Sequence, residues 1–209
     1  MAEHVVGIVL AGGLSRRMGG GDKCLRPLGG RPMLAHVVER LAAQVDVVAL
    51  NANGDAARFA AFGLEVLPDV VAGYAGPLAG ILTGLEWTAA RHPQARWLAS
   101  AAADAPFFPR DLVARLVDAV TRSGRPLACA SSGGRTHPVF GLWPVALLPE
   151  LRTAVTEEGL RKVDLWTGRY GCTAVDFAVD DGDPFFNVNE PADLAAAEHR
   201  LSSAGRSAL

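Results

Sequence analysis

Thirteen residues hold the densest anion-binding chemistry in this chain. Ala11-Gly12-Gly13-Leu14-Ser15-Arg16-Arg17-Met18-Gly19-Gly20-Gly21-Asp22-Lys23 contains five glycines and three basic residues. Glycine lets backbone N–H groups converge on an anion without interference from a Cβ, while Arg and Lys supply charge. Phosphate is the guest this combination suits. From Arg16 to Arg31 five basic residues face one acid, in a chain whose formal net charge is -2. The segment is not the ATPase phosphate loop GxxxxGK[ST], because Asp22 precedes Lys23 and Cys24 replaces the hydroxyl, and it is not GxGxxG. Glycine and arginine alone would equally suit a solvated surface loop. The element in front of it favours the ligand loop.

That element is Val5-Val6-Gly7-Ile8-Val9-Leu10, a continuous apolar and largely β-branched run of the kind buried on both faces of a parallel sheet. After Pro32, residues Leu34, Val37, Val38 and Leu41 fall at helical spacing. Further strands are predicted over 45–51, 64–67, 97–103, 127–131, 139–143 and 173–179. Further helices are predicted after Gly76-Pro77, over 110–122, 145–155 and 159–167, and after Pro191. Strands alternating with helices of this length imply right-handed crossovers, hence an α/β protein: a three-layer α/β/α sandwich around a mostly parallel sheet. In such sheets ligands bind beyond the carboxyl ends of the strands.

Those ends carry chemistry. Asp104 follows a strand and precedes Pro106, placing a carboxylate where it can hold Mg²⁺ through one or two oxygens, or act as a turn or cap residue. Asn51 ends the second strand and Asp69 the third. Asn187 and Asn189 lie before the last helix, facing a ligand or capping that helix. His137, near Arg135 and before Pro138, reads as a loop residue or a ligand contact. Trp87 and Trp97 are expected in the core, Trp143 and Trp166 in the core or facing a partner.

With 209 residues, 50% hydrophobic and 20% charged, the chain is neither disordered nor collagen-like, and its length suits one domain. Near-neutral charge argues against nucleic acid or anionic membrane as partners. No apolar stretch reaches the ~18 residues of a membrane helix, and Met1 to Leu10 lacks the features of a signal peptide, so a cytoplasmic monomer is expected. Cys24, Cys129 and Cys172 are widely spaced with no CxxC pair, as in buried reduced thiols.

The landmarks occur in an ordered series: Leu10-Ala11-Gly12-Gly13 with Ser15, Arg17-Met18-Gly19 and Asp22-Lys23, then Leu28 to Pro32, Asn51-Ala52-Asn53, Asp69, Gly76-Pro77-Leu78-Ala79-Gly80-Ile81, Asp104-Ala105-Pro106-Phe107, His137-Pro138, and Asn187-Val188-Asn189-Glu190-Pro191. This series resembles the molybdenum cofactor guanylyltransferases, over residues 5 to about 200. The resemblance implies a Rossmann-like nucleotidyltransferase fold, similar to the glycosyltransferase-A type. It also implies transfer of GMP from GTP to the terminal phosphate of molybdopterin, with release of pyrophosphate and dependence on Mg²⁺. Residue by residue it implies Lys23 and Asp104 as catalytic, Leu10, Ala11, Gly12, Lys23, Asn51, Asp69 and Asp104 as GTP-binding, and Asp104 as the metal ligand. Asn187 and Asn189 would then meet the pterin or a metal-bound phosphate. A single domain is expected, with a nucleotide half (5–122) and a pterin and partner half (123–201); the small polar residues 202–209 are expected to form a frayed tail. Residues Leu160, Val163, Leu165 and Trp166 would offer a transient docking face for an acceptor protein.

The chemistry agrees with the residues. A phosphate monoester has its second pKa at about 6, so the nucleophile is already largely dianionic and needs no strong base. No Ser-His-Asp or Cys-His constellation is evident. Cytidylyl- and uridylyltransferases of the wider superfamily usually carry Ala-Ala-Gly, whereas this chain has Ala11-Gly12-Gly13, which favours guanine. A cytidylyltransferase for the same pterin, a related nucleotidyltransferase, and a nucleotide-binding partner without turnover are the competing readings. Two positions depart from the family pattern. Glu190 stands where a small polar residue is usual, and Cys24 beside the lysine raises oxidation of the loop as an expectation.

Overall fold

A computed structural model describes residues 3–12, 22–71, 73 and 76–207. The glycine- and arginine-rich stretch 13–21, with Gly13, Ser15, Arg16, Arg17, Met18 and Gly19, lies outside the described residues. The chain runs β1 (Val5–Leu10), β2 (Pro27–Leu28), β3 (Arg31–Pro32), α1 (Met33–Ala42), β4 (Val47–Asn51), β5 (Glu65–Leu67), α2 (Pro77–Arg91), β6 (Trp97–Ala102), α3 (Leu112–Ser123), β7 (Leu127–Ser132), β8 (Arg135–Pro144), α4 (Leu148–Thr156), α5 (Val163–Tyr170), β9 (Cys172–Phe177) and α6 (Pro191–Ser207). Short 3₁₀ segments cover Lys23–Leu25, Ala56–Phe62 and Val145–Leu147.

Seven strands form one sheet in the order β5-β4-β1-β6-β8-β7-β9, and β2 and β3 pair in a separate ribbon. All neighbours in the large sheet are parallel except at β8, which runs antiparallel to both β6 and β7. The expected α/β sandwich is therefore the one found. Every residue of β1 is buried because alternate side chains enter opposite layers. Val5 and Val9 pack with Leu34, Val37 and Leu41 of α1 and Leu112, Leu116 and Val120 of α3. Val6, Ile8 and Leu10 pack with Leu78, Ile81, Leu82 and Leu85 of α2, Leu151 and Val155 of α4, and Trp166 of α5.

Four expectations need correction. The helix expected over 159–167 begins at Val163 and ends at Tyr170: Gly159 adopts a φ of +67°, which interrupts a helix, and Gly171 at φ +77° stops one. Trp166 is fully buried against Trp143, so neither ring faces a partner, and only Leu165 of that helix remains a large exposed apolar side chain. The tail expected to fray from 202 is helical through Ser207, with the Ser202 and Ser203 hydroxyls donating back to the Glu198 and His199 carbonyls. His137 is not a loop residue. The strand expected over 139–143 extends back to Arg135, because the turn at Gly133 and Gly134, both at positive φ, lets β8 return along β7. No helix among the described residues is long and apolar enough to cross a membrane.

Candidate active site

The carboxyl ends of β1, β4, β5 and β6 meet on one edge of the sheet, and the predicted residues gather there. Lys23, in the 3₁₀ turn that follows the undescribed loop, donates from Nζ to Asp104 Oδ2 and, at 2.7 Å, to Asn189 Oδ1. These three residues come from positions 81 and 166 apart in sequence. The Lys23 and Asp104 side chains are only 18% and 24% exposed, so their charges are partly desolvated and interact more strongly than a surface pair would. The backbone locks the arrangement: Val188 N–H donates to the Asp104 carbonyl at 2.8 Å, which hangs the 187–189 segment on the end of β6. Asp193 then caps α6, its carboxylate accepting from the Asn189 and Glu190 N–H groups at 2.8 and 3.0 Å. Glu190, the departure from the family pattern, thus contributes a main-chain group to this cap. Asn189 belongs to the cluster directly. Asn187 lies exposed two residues earlier and makes no described contact with it.

A second group forms at the ends of β4 and β5. Asn51 is 4% exposed, and its amide donates to the Leu67 carbonyl at 3.1 Å and to Asp69 Oδ1 at 2.9 Å. Asn53 donates to Asp69 Oδ2 at 2.8 Å and accepts from the Asp69 N–H at 2.8 Å. Each oxygen of the Asp69 carboxylate is therefore held by one amide, and each retains capacity for a further donor. Asn51 is too enclosed to be an open reader. It orients Asp69.

Gly80 of α2 is what admits Asn51 here, since a Cβ at 80 would lie 2.3 Å from Asn51 Oδ1 and 2.9 Å from Leu10 Cδ2. For Gly80→Ala the helix-propensity gain of up to ~1 kcal/mol is outweighed by overpacking of about 1–3 kcal/mol. We expect a lower melting temperature and GTP binding weaker by at least ~10-fold, read by thermal melts and nucleotide titration. Unchanged values for both would mean that Asn51 does not hold the site.

At the end of β1, Ala11 N–H donates to the Asn51 carbonyl at 2.9 Å, joining the two strand ends. Gly12 is exposed, and no protein atom among those described lies within 4 Å of where its Cβ would stand. No packing among the described residues demands glycine there.

Near Lys23 stands a residue that the sequence does not mark. Arg58, in the 3₁₀ segment, pairs with Asp22 through Nε at 2.5 Å and donates to the carbonyls of Asn53 and Asp55. It ties the residue before Lys23 to the Asn53 loop, and nothing in its local sequence marks it. Cys24 is a buried free thiol, as its wide spacing from the other cysteines suggests. Burial, then the negative charge of Asp22, push its thiol up to about 12, so it stays protonated and resists oxidation, which proceeds through the thiolate.

No group of three or more His, Cys, Asp or Glu that could enclose a metal exists among the described residues. The donors present fit a more open site. Asp104 and Asn189 aim hard oxygen atoms at one cationic point, now held by the Lys23 ammonium. Mg²⁺-like ions bind through one or two carboxylates, with substrate phosphates and water completing the shell.

A mostly parallel sheet whose carboxyl edge brings together a lysine and a strand-end aspartate is an arrangement suited to a nucleotidyltransferase. Residues 7–169 match the MobA-like NTP transferase domain family. A molybdenum cofactor guanylyltransferase of Bradyrhizobium sp. (strain ORS 278) is 56% identical over 204 residues, covering 98% of this chain and 96% of that one. Two crystal structures share the fold. Molybdopterin-guanine dinucleotide biosynthesis protein A from Archaeoglobus fulgidus is 22% identical with a TM-score of 0.74, over 95% of this chain and 99% of that one. A Mycobacterium tuberculosis protein in complex with manganese is 20% identical with a TM-score of 0.68, over 95% of this chain and 100% of that one. The chain belongs to the molybdenum cofactor guanylyltransferase family.

Proposed function

We propose that the protein transfers GMP from GTP to the terminal phosphate of molybdopterin, releasing pyrophosphate. The observation that carries this reading, beside family membership, is the convergence of Lys23, Asp104 and Asn189 at the end of β6. The incoming phosphate dianion needs no general base, so the residues have two tasks: bringing two anions together and neutralising charge at the α-phosphate and the leaving pyrophosphate. Lys23 supplies fixed positive charge to the triphosphate. Asp104, with Asn189 beside it, would hold a divalent cation of the Mg²⁺ type, which supplies charge neutralisation across the phosphates when bound. Leu10, Ala11 and Gly12 present main chain to the nucleotide, and Asn187 stands on the side from which the pterin phosphate enters. In this reading the nucleotide half is 5–122 and the acceptor half 123–201, with β6 between them, working in the cytoplasm.

Base choice falls to Asp69. Guanine offers adjacent N–H donors at N1 and N2, which two carboxylate oxygens accept side by side. Cytosine presents an amine next to an unprotonated ring nitrogen, which a carboxylate repels. Asp69 is half-buried, and a site that hydrogen-bonds its substrate's N–H groups rejects an analogue lacking them. We therefore expect GTP to be preferred to CTP by about 100-fold in kcat/KM, and Asp69→Asn to cut that preference by at least ~10-fold. Equal use of both nucleotides by the unmodified protein would assign Asp69 to ribose or structure and remove the guanine reading.

A further inference from the structure

Outside the residues already assigned, one cluster of titratable side chains lies on the same edge of the sheet. Ser132 ends β7, His137 lies near the start of β8, and Asp183 sits in the connection from β9 to α6. Ser132 Oγ lies 2.7 Å from His137 Nε2 and donates to Asp183 Oδ1 at 2.7 Å. Asp183 Oδ1 also accepts from the Phe185 N–H at 2.9 Å, while Arg200 of α6 donates to the Asp183 carbonyl at 2.7 Å. Burial works against the Asp183 carboxylate, yet the Phe185 and Ser132 donors bring it below the usual carboxylate range, so it is ionised and can only accept.

Proton counting then determines the tautomer. Ser132 has one hydroxyl proton, and Asp183 takes it. His137 must therefore donate from Nε2 to the Ser132 oxygen, so Nε2 carries the hydrogen. Burial, opposed by Asp183 and aided by Arg135, lowers the His137 pKa and keeps the ring neutral. Its Nδ1 is then a bare acceptor. No donor to that nitrogen exists among the described residues, and it is not one of the buried unpartnered side-chain atoms, so it opens to solvent. The ring is fixed in plane by stacking on Phe185, with centroids 4.8 Å apart, and Phe185 is anchored against Phe140 and Phe177.

The strand order places this device. Asp69 and Asn51 lie on the β5-β4 side of β6, whereas Ser132 and His137 lie on the β8-β7 side. The segment that carries Asp183 and Phe185 continues to Val188 on the Asp104 carbonyl and Asn189 on Lys23. His137 thus lies across β6 from Asn51 and Asp69, and is joined to the Lys23 cluster through the 183–189 segment.

Resting on the proposed function, we propose that His137, held by Ser132, Asp183 and Phe185, is a specificity residue for the acceptor substrate, its Nδ1 accepting an N–H from the pterin ring system. The amino and lactam N–H groups of a pterin match a bare, pre-oriented nitrogen acceptor, and a phosphate group does not.

The test combines kinetics with NMR of the full-length protein. His137→Gln keeps an N–H donor toward Ser132 and loses the ring acceptor. It should raise KM for molybdopterin at least ~10-fold while leaving KM for GTP within about twofold. In ¹⁵N-histidine-labelled protein, His137 should show the Nε2–H tautomer, and its Nδ1 resonance should move toward the hydrogen-bonded position when molybdopterin is added. An unmoved Nδ1 resonance with molybdopterin bound, or a rise in both KM values together, would make the cluster a structural clamp and overturn the proposal. If the unmodified protein turns over GTP onto a different acceptor, the proposed function fails first and the role of His137 falls with it, a result distinguishable by the product formed.

Discussion

Asp104→Ala should fold normally and lose at least ~100-fold in kcat, about 2.7 kcal/mol of transition-state stabilisation. Folding survives because the contact that seats the 187–189 segment uses the Asp104 backbone carbonyl, which the substitution retains. The carboxylate itself is a largely buried partner of Lys23, and its loss should cost about 1–3 kcal/mol, less than the total stability of a typical domain. The catalytic cost is larger because, in the proposed function, the same group, the only carboxylate that pairs with Lys23 among the described residues, also holds the divalent cation. Raising the Mg²⁺ concentration should recover part of the activity of Asp104→Asn, whose amide oxygen still coordinates weakly, and none of that of Asp104→Ala. Near-normal turnover by folded Asp104→Ala, measured as pyrophosphate release, would remove Asp104 from metal binding.

Lys23→Ala should weaken GTP binding and slow transfer together, each by at least ~10-fold, because one charge serves the triphosphate in both the ground state and the transition state. Lys23→Arg should restore little. The ammonium fits between an aspartate oxygen and an asparagine oxygen, whereas a planar guanidinium carries its donors in a fixed fork and is larger. Since Lys23 and Asp104 touch, the double variant should lose less than the product of the single losses. Unchanged kinetics for Lys23→Ala would contradict its assignment to phosphate.

The legibility of this chain was uneven for physical reasons. β1 was plain because a strand buried on both faces needs apolar residues at every position, and Val5 to Leu10 supply them. α5 was not. Its two inward anchors, Val163 and Trp166, are too few to set a period, and the positive-φ glycines that bound it at 159 and 171 carry no unique signal in sequence. Lys23 and Asp104 stand at chemically suggestive positions, after a glycine-rich loop and at a strand end, but it is the family resemblance that singles them out. Their meeting depends on β6 lying beside β1, which no local pattern encodes. Asn51 could be located but its task could not, because only its burial and its bonds to Leu67 and Asp69 reveal that it orients another residue. Arg58, Ser132 and Asp183 are ordinary polar residues until the fold places them, and their roles come entirely from neighbours distant in the chain.

The most direct test of the central claim is single-turnover conversion of GTP and molybdopterin by the purified protein with Mg²⁺, with the pterin product identified by mass. The account predicts a product heavier than molybdopterin by one GMP unit, formed in step with pyrophosphate. A product carrying CMP when CTP is offered instead, formed at a comparable rate, would contradict the assignment of guanine. Tight GTP binding with no pterin adduct and no pyrophosphate would contradict the transferase reading itself.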